Sequence, residues 1–199
     1  MMAFSTPCCT RAESAGSRWA RWLALVLLLA SVVVHAEGIH VKSAELSAIE
    51  SSYVLDANYE IVLSHTLEEA LLRGLPLHFV VDFELTKPRG WTFGLWSRTV
   101  AAFRQQHRLS YNALTRQYRV SFGNLHQNFD TLDEALTLMG RVRQPQVAPK
   151  EDIDPDDVYT AAVRLRLDTS LLPKPLQINA LGSRDWNLSS DWYRWTFRP

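Results

Sequence analysis

Cysteine is almost missing from this sequence: Cys8 and Cys9 are the only two among 199 residues. Beyond position 9 the chain has no disulfide, no thiol nucleophile and no thiolate metal ligand. Charge of one sign is missing as well, with 21 Lys plus Arg against 21 Asp plus Glu. A dedicated nucleic-acid binder, whose phosphate contacts leave it strongly basic, is therefore excluded. A long hydrophobic run is also lacking, since Trp22 to Val34 spans 13 residues where a membrane-spanning helix needs roughly 20. Collagen, coiled coil and wholesale disorder do not fit a chain with 8 glycines and 47% apolar residues.

The short apolar run carries information of its own. Arg11, Arg18 and Arg21 precede it, and Val34-His35-Ala36 follows as a small-residue cleavage pattern. This predicts a secretory signal peptide over residues 1–36, cut between Ala36 and Glu37, and one mature domain over 37–199. Arg18 and Arg21 are not a twin-arginine pair, and no cysteine follows the run to carry a lipid. The expected location is periplasmic, with an uncleaved inner-membrane anchor as the alternative. The mature part has 18 basic and 20 acidic residues over 163 positions, enough chain to bury about two-thirds of its unfolded surface without covalent staples.

Period-two alternation dominates that part. Tyr53, Leu55, Ala57, Tyr59, Ile61 and Leu63 alternate with Asp56, Asn58 and Glu60, which reads as a half-buried strand. Leu77, Phe79, Val81, Phe83 and Leu85 repeat the pattern against Asp82 and Glu84. Tyr159, Ala161, Val163, Leu165 and Leu167 repeat it against Arg164 and Arg166. Glu84 and Arg166 should accordingly be solvated and replaceable at little cost. Weaker strands are expected over Ile39 to Ile49, with a bulge between Val41 and Ala44, and over Arg98 to Tyr111. A hairpin loop at Asn112 to Thr115 returns through Tyr118, Val120 and Phe122. The last strand holds Tyr193, Trp195 and Phe197 on a core face, with Trp192 pointing outward.

Two short helices interrupt the strands. Thr66-Leu67-Glu68-Glu69 and Thr131-Leu132-Asp133-Glu134 each have the spacing of a capping box and each open one apolar stripe. The segment 144–157, polar and carrying three prolines, reads as a long loop. About seven strands and two helices, with no β-α-β alternation, predict a mainly β fold: an antiparallel two-sheet β-sandwich.

Four ordered blocks, LSYNALTRQYRV (109–120), FDTLDEAL (129–136), VRLRLDTSLLPKPLQINAL (163–181) and DWNLSSDW (185–192), resemble a proteobacterial envelope family, domain-of-unknown-function family 4390. The resemblance covers nearly all of the mature chain. It implies a signal peptide and an extracytoplasmic domain, and it carries over no activity and no catalytic residues. It also implies gene proximity to a membrane histidine kinase of the nitrogen-response type, which makes such a kinase one candidate partner.

Enzyme chemistry finds little support in the sequence. No Gly-x-Ser-x-Gly is present, and His40, His65, His78, His107 and His126 are scattered, so each is read as a surface or cap-adjacent imidazole. Asp152, Asp154, Asp156 and Asp157 resemble the start of a calcium loop, but Asp157 stands where glycine is needed and Val163 where the bidentate acid belongs. No metal and no cofactor is expected.

Charge placement says more. Between Leu85 and Phe129 there is no carboxylate, while Lys87, Arg89, Arg98, Arg104, Arg108, Arg116 and Arg119 bring seven cations. An acidic block from Asp130 to Asp157 follows. Strand parity turns Arg119 outward. Trp91 and Trp96 lie between cations, the composition of an interfacial loop, with core packing as the alternative reading.

These features lead to a non-catalytic envelope module that binds an anionic partner through a basic hairpin: Arg98, Arg104, Arg108, Arg116 and Arg119, with Trp91, Trp96 and Trp192 as interfacial contacts. The partner would be an acidic envelope protein or a phospholipid surface. Two alternatives stand beside it, a periplasmic hydrolase or carbohydrate-active enzyme and a structural assembly subunit. N-terminal sequencing of the protein from the periplasmic fraction should begin at Glu37; recovery only of the intact Met1 form, in membranes, would identify an anchor.

Overall fold

Alternating apolar residues form a sheet by presenting one face to water and one to a second sheet, and the chain does this twice. The computed structural model describes residues 38–88 and 97–199. Residues 1–37 and 89–96, which include the Ala36–Glu37 cleavage site and Trp91 and Trp96, lie outside the described residues.

Nine strands run as β1 (Gly38–Ile49), β2 (Ser52–Val62), β3 (Leu77–Pro88), β4 (Ser97–Asn112), β5 (Gln117–Phe122), β6 (Leu125–Phe129), β7 (Arg141–Pro149), β8 (Tyr159–Leu167) and β9 (Tyr193–Phe197). They make two antiparallel sheets, one of three strands in the order β1-β2-β7 and one of six in the order β6-β5-β4-β3-β8-β9. Three α-helices connect them: α1 (His65–Leu72), α2 (Leu132–Met139) and α3 (Lys174–Gly182). Helix α1 carries the chain from the small sheet to the large one and α2 carries it back.

The mainly β, antiparallel two-sheet architecture agrees with the sequence reading. Among the described residues, the count of elements is corrected from about seven strands and two helices to nine and three. Residues 144–149, expected in a loop, continue β7, because Pro145 and Pro149 sit on an edge strand, where a missing N–H breaks no ladder on the open side. β6 was unreadable since Leu125, His126, Gln127 and Asn128 are all exposed and show no alternation. The expected bulge in β1 is present, as a register shift between Val41 and Ser43.

The core is one cluster between the sheets. Leu55, Ala57, Phe79, Val81, Phe83, Leu85, Val163 and Leu165 are fully inaccessible, and Tyr53 of β2 meets Phe197 of β9 edge-on at 5.2 Å. Helix α1 contributes Leu67 and Leu71, and α2 contributes Ala135, Leu136 and Met139. The N-cap of α2 is Thr131, whose hydroxyl accepts from the Glu134 amide. In α1 the expected Thr66 cap is corrected to Ser64, whose Oγ accepts from the Leu67 amide. Gly140 ends α2 and donates and accepts at close range: the Tyr59 amide reaches its carbonyl at 2.8 Å, and a Cβ here would stand 2.3 Å from the Tyr59 carbonyl oxygen. Only glycine lets helix and sheet approach so closely.

The small sheet does not cover the whole of the large one, and this sets the fate of the last strand. Phe197 is buried, Trp195 is half-buried and Tyr193 is 39% exposed, so the expected core face of β9 is fully realised only at its end.

His107 corrects the reading of every histidine as superficial. It is 2% exposed on the inner side of β4 and packs edge-on against Phe122 at 4.6 Å. Burial lowers its pKa from 6.5 to about 4. The unfolded chain therefore takes up this proton first as pH falls, and stability should drop by about 3 kcal/mol between pH 6.5 and pH 4 from this group alone. Urea melts across that window should show the slope in the wild type and a flatter one in His107→Gln.

Candidate functional site

In an antiparallel ladder, residues directly opposite one another project from the same face, so the register of the six-stranded sheet dictates its outer surface. One row across it joins Arg164 of β8, Asp82 of β3 and Arg104 of β4. The next joins Arg166, Val80 and Gln106. A third joins His78, Arg108, Ser121 and His126, and a fourth Ser110, Arg119 and Asn128. On the other side of the Asp82 row, Arg194, Ala162, Glu84 and Ala102 line up. The strands thus put six arginines on one face against two carboxylates, Asp82 and Glu84.

Asp82 organises this face. Its side chain is 8% exposed and accepts three hydrogen bonds: from Arg104 Nε at 2.8 Å, Arg164 Nη2 at 2.9 Å and Arg166 Nε at 2.9 Å. Burial by itself would raise the Asp82 pKa, but the hydrogen bonds from Arg164, Arg166 and Arg104, with the charge of Arg166, together hold it below the ordinary value. One carboxylate against three guanidiniums leaves the cluster positive. Each arginine keeps further N–H groups beyond the one spent on Asp82, and the buried Arg164 Nε has no partner among the described residues. Beside the cluster, Arg164 lies over the Trp192 ring at 4.5 Å and Arg194 at 5.9 Å. Trp192 is half-buried, in the company of Arg194 that its outward parity implies.

The structure gathers some of the predicted cations and separates others. Arg104, Arg108 and Arg119 share the outer face, as their parity implies. Arg119 Nε donates to Asn128 Oδ1 at 3.1 Å. Arg116 lies apart in the β4–β5 turn, at φ +56°. Arg98 departs from the group: a register shift between Leu85 and Thr86 changes the parity of the β3–β4 ladder, and Arg98 lines a cleft with Lys87, Asp152 and Asp154. Lys87 forms an ion pair with Asp157. That end of the basic stretch therefore answers the acidic loop within the molecule, and the loop holds itself in shape through Asp154, whose Oδ1 accepts from the Asp156 amide at 3.1 Å. Sequence reasoning missed Arg164, Arg166 and Arg194 as members of the face, although their parity on β8 and β9 was legible; only the β3–β8 pairing brings them beside Arg104.

Other arrangements offer less. Among the described residues no three His, Asp or Glu side chains converge as metal ligands, and no helix is long and apolar enough to cross a membrane. Glu60 and Asp133 line a cleft of about 610 Å³ between β2 and α2, but both are exposed and Glu60 is taken up by Lys42 at 3.4 Å.

A family model described as Domain of unknown function (DUF4390) matches residues 36–196. The chain belongs to this family. The match spans all nine strands except the end of β9, so both the small sheet and the arginine face lie within the family domain. No curated protein and no solved structure matches the chain.

The Asp82 cluster yields a test of its own and reverses the expectation that Arg166 is dispensable. Asp82→Asn should destabilise the protein by roughly 3 kcal/mol near neutral pH, since it leaves three guanidiniums without their carboxylate. Because the native carboxyl has the lower pKa, its contribution is present above the unfolded value of 3.8 and is lost as pH falls through the native one. Denaturant melts of wild type and Asp82→Asn should therefore differ most above pH 3.8 and draw together as pH falls below it.

Proposed function

We propose that this DUF4390 protein is a non-catalytic binding module of the cell envelope whose arginine face engages an anionic partner. The observation that carries the reading is the composition of the outer face of the large sheet: six arginines, no lysine, and two carboxylates, of which Asp82 is consumed in holding three of the arginines in place. Arginine presents a planar fork that matches oxyanions, where lysine offers a point charge. A face built from arginine alone suits discrete carboxylate or phosphate groups better than diffuse attraction.

The reading replaces the basic hairpin by a basic sheet face. Arg98 drops out, Arg104 becomes a held member, and Arg164, Arg166 and Arg194 join. Supporting it as a binding role is the absence, among the described residues, of an ion pair for Arg108, Arg119 or Arg194. An envelope location rests on the predicted signal over residues 1–36.

Those three arginines stand outside the Asp82 cluster, so replacing them leaves it intact. The variant Arg108→Gln/Arg119→Gln/Arg194→Gln should melt within about 3 °C of wild type, as exposed charges contribute little to stability. Its co-sedimentation with envelope membranes should fall at least tenfold, and wild-type association should weaken on going to about 0.5 M salt, where exposed charges are screened within a few Å. Protease-stripped membranes separate the partners: retained association points to phospholipid, lost association to an acidic protein. Salt-insensitive association that survives the triple change would overturn the reading.

A further inference from the structure

On the arginine face, one part is concave. A groove of about 580 Å³ opens over β3, β4 and β5, lined by His78, Arg104, Gln106, Arg108, Ser121 and Gly123. We propose that this groove is an oxyanion site that takes the phosphate group of a phosphorylated ligand, a deepening that rests on the binding role of the arginine face.

The register builds the site. Arg108 stands at its centre, with the His78 imidazole directly opposite on β3 and the Ser121 hydroxyl directly opposite on β5. Arg104 lies one turn of the pleat beyond Gln106 on the same strand, and its Nε is tied to Asp82 at 2.8 Å, so the guanidinium is held before any ligand arrives. Preorganised donors lose little freedom on binding. No carboxylate lines the groove. Every polar side chain in it can donate: two guanidiniums, the amides of Gln105 and Gln106, a hydroxyl and an imidazole.

Shape selects among anions. The donors come from three strands and line one groove, an arrangement that serves the several oxygens of a tetrahedral phosphate; a planar carboxylate would be satisfied by one arginine fork. Gly123, at φ +57° on the β5–β6 turn, leaves the lip open, for nothing stands within 4 Å of the position its Cβ would take. His78 Nδ1 is buried without a partner among the described residues. Burial and then Arg108 lower the His78 pKa while Asp168 opposes them, so the positive charge of the groove comes from its arginines.

The phosphate could be presented free or on a lipid, and the experiment separates these. Calorimetric titration of the purified protein with glycerol phosphate, against succinate as a carboxylate of like charge, reads the free source. Flotation with phosphatidylglycerol vesicles against phosphatidylcholine vesicles reads the lipid source. Expected is binding of glycerol phosphate, of phosphatidylglycerol, or of both, reduced at least tenfold by Arg108→Gln and by Ser121→Ala in combination with it. Arg108→Lys, which keeps the charge and loses the fork, should fall between. Arg143→Gln, exposed on β7 of the small sheet and away from the arginine face, should bind like wild type. Succinate binding as tightly as glycerol phosphate, or equal losses in Arg143→Gln and Arg108→Gln, would overturn the groove as a phosphate site. Persisting envelope association with neither phosphate probe bound would overturn it too while leaving the wider face standing; loss of salt-sensitive envelope association in the wild type would instead remove the wider reading.

Discussion

A single buried carboxylate governs the outer side of the large sheet. Asp82 sits on β3, which β4 and β8 flank, and draws one arginine from β4 and two from β8 onto itself. Cations directly opposite one another across a strand would repel; the carboxylate between them turns that repulsion into a bound cluster. It also fixes the guanidinium positions, which a flexible side chain in water would not keep. The basic surface, the Trp192 stack and the groove beside Arg104 all depend on this one acceptor.

The unequal sheets set where that surface can exist. Three strands cover the inner side of six, so the overhanging strands β5, β6 and β9 carry partly exposed aromatic residues such as Tyr193 and Trp195. The outer side of the large sheet has no layer over it among the described residues, and arginine stems rather than a second sheet cover its centre. Val80 at 2% exposure and Ala162 at 6% are buried there between long polar side chains. A β-sandwich of this kind has one core and, on its back, a thin second layer of arginine.

Among the described residues four strand edges remain, β1 and β7 on the small sheet and β6 and β9 on the large one. Each is blunted in a familiar way: β1 is bulged, β7 carries Pro145 and Pro149 and a left-handed Gln146 at φ +60°, and β6 and β9 are five residues long. These devices weigh against the assembly-subunit reading, which needs an edge open to a neighbouring chain.

The sequence by itself determined the parts of this protein whose physics is local. Alternation in 53–63, 77–85 and 159–167 specified strands and their buried faces, because burial of one side of a pleat demands period two. Thr131 and Glu134 specified a helix start, because a hydroxyl three residues before an amide satisfies it. The outward parity of Arg119 was legible for the same reason. Pairing was not. Whether Asp82 is a solvated residue or a buried hub depends on which strands lie beside β3, and residues 164 and 166 are more than 80 positions away along the chain. Likewise Arg98 was separated from its neighbours by one register shift, and β6 and β7 were hidden because edge strands need neither alternation nor freedom from proline. Only the tertiary structure decided which charges meet, since Coulomb and hydrogen-bond energies act over a few ångströms of space and take no account of sequence distance.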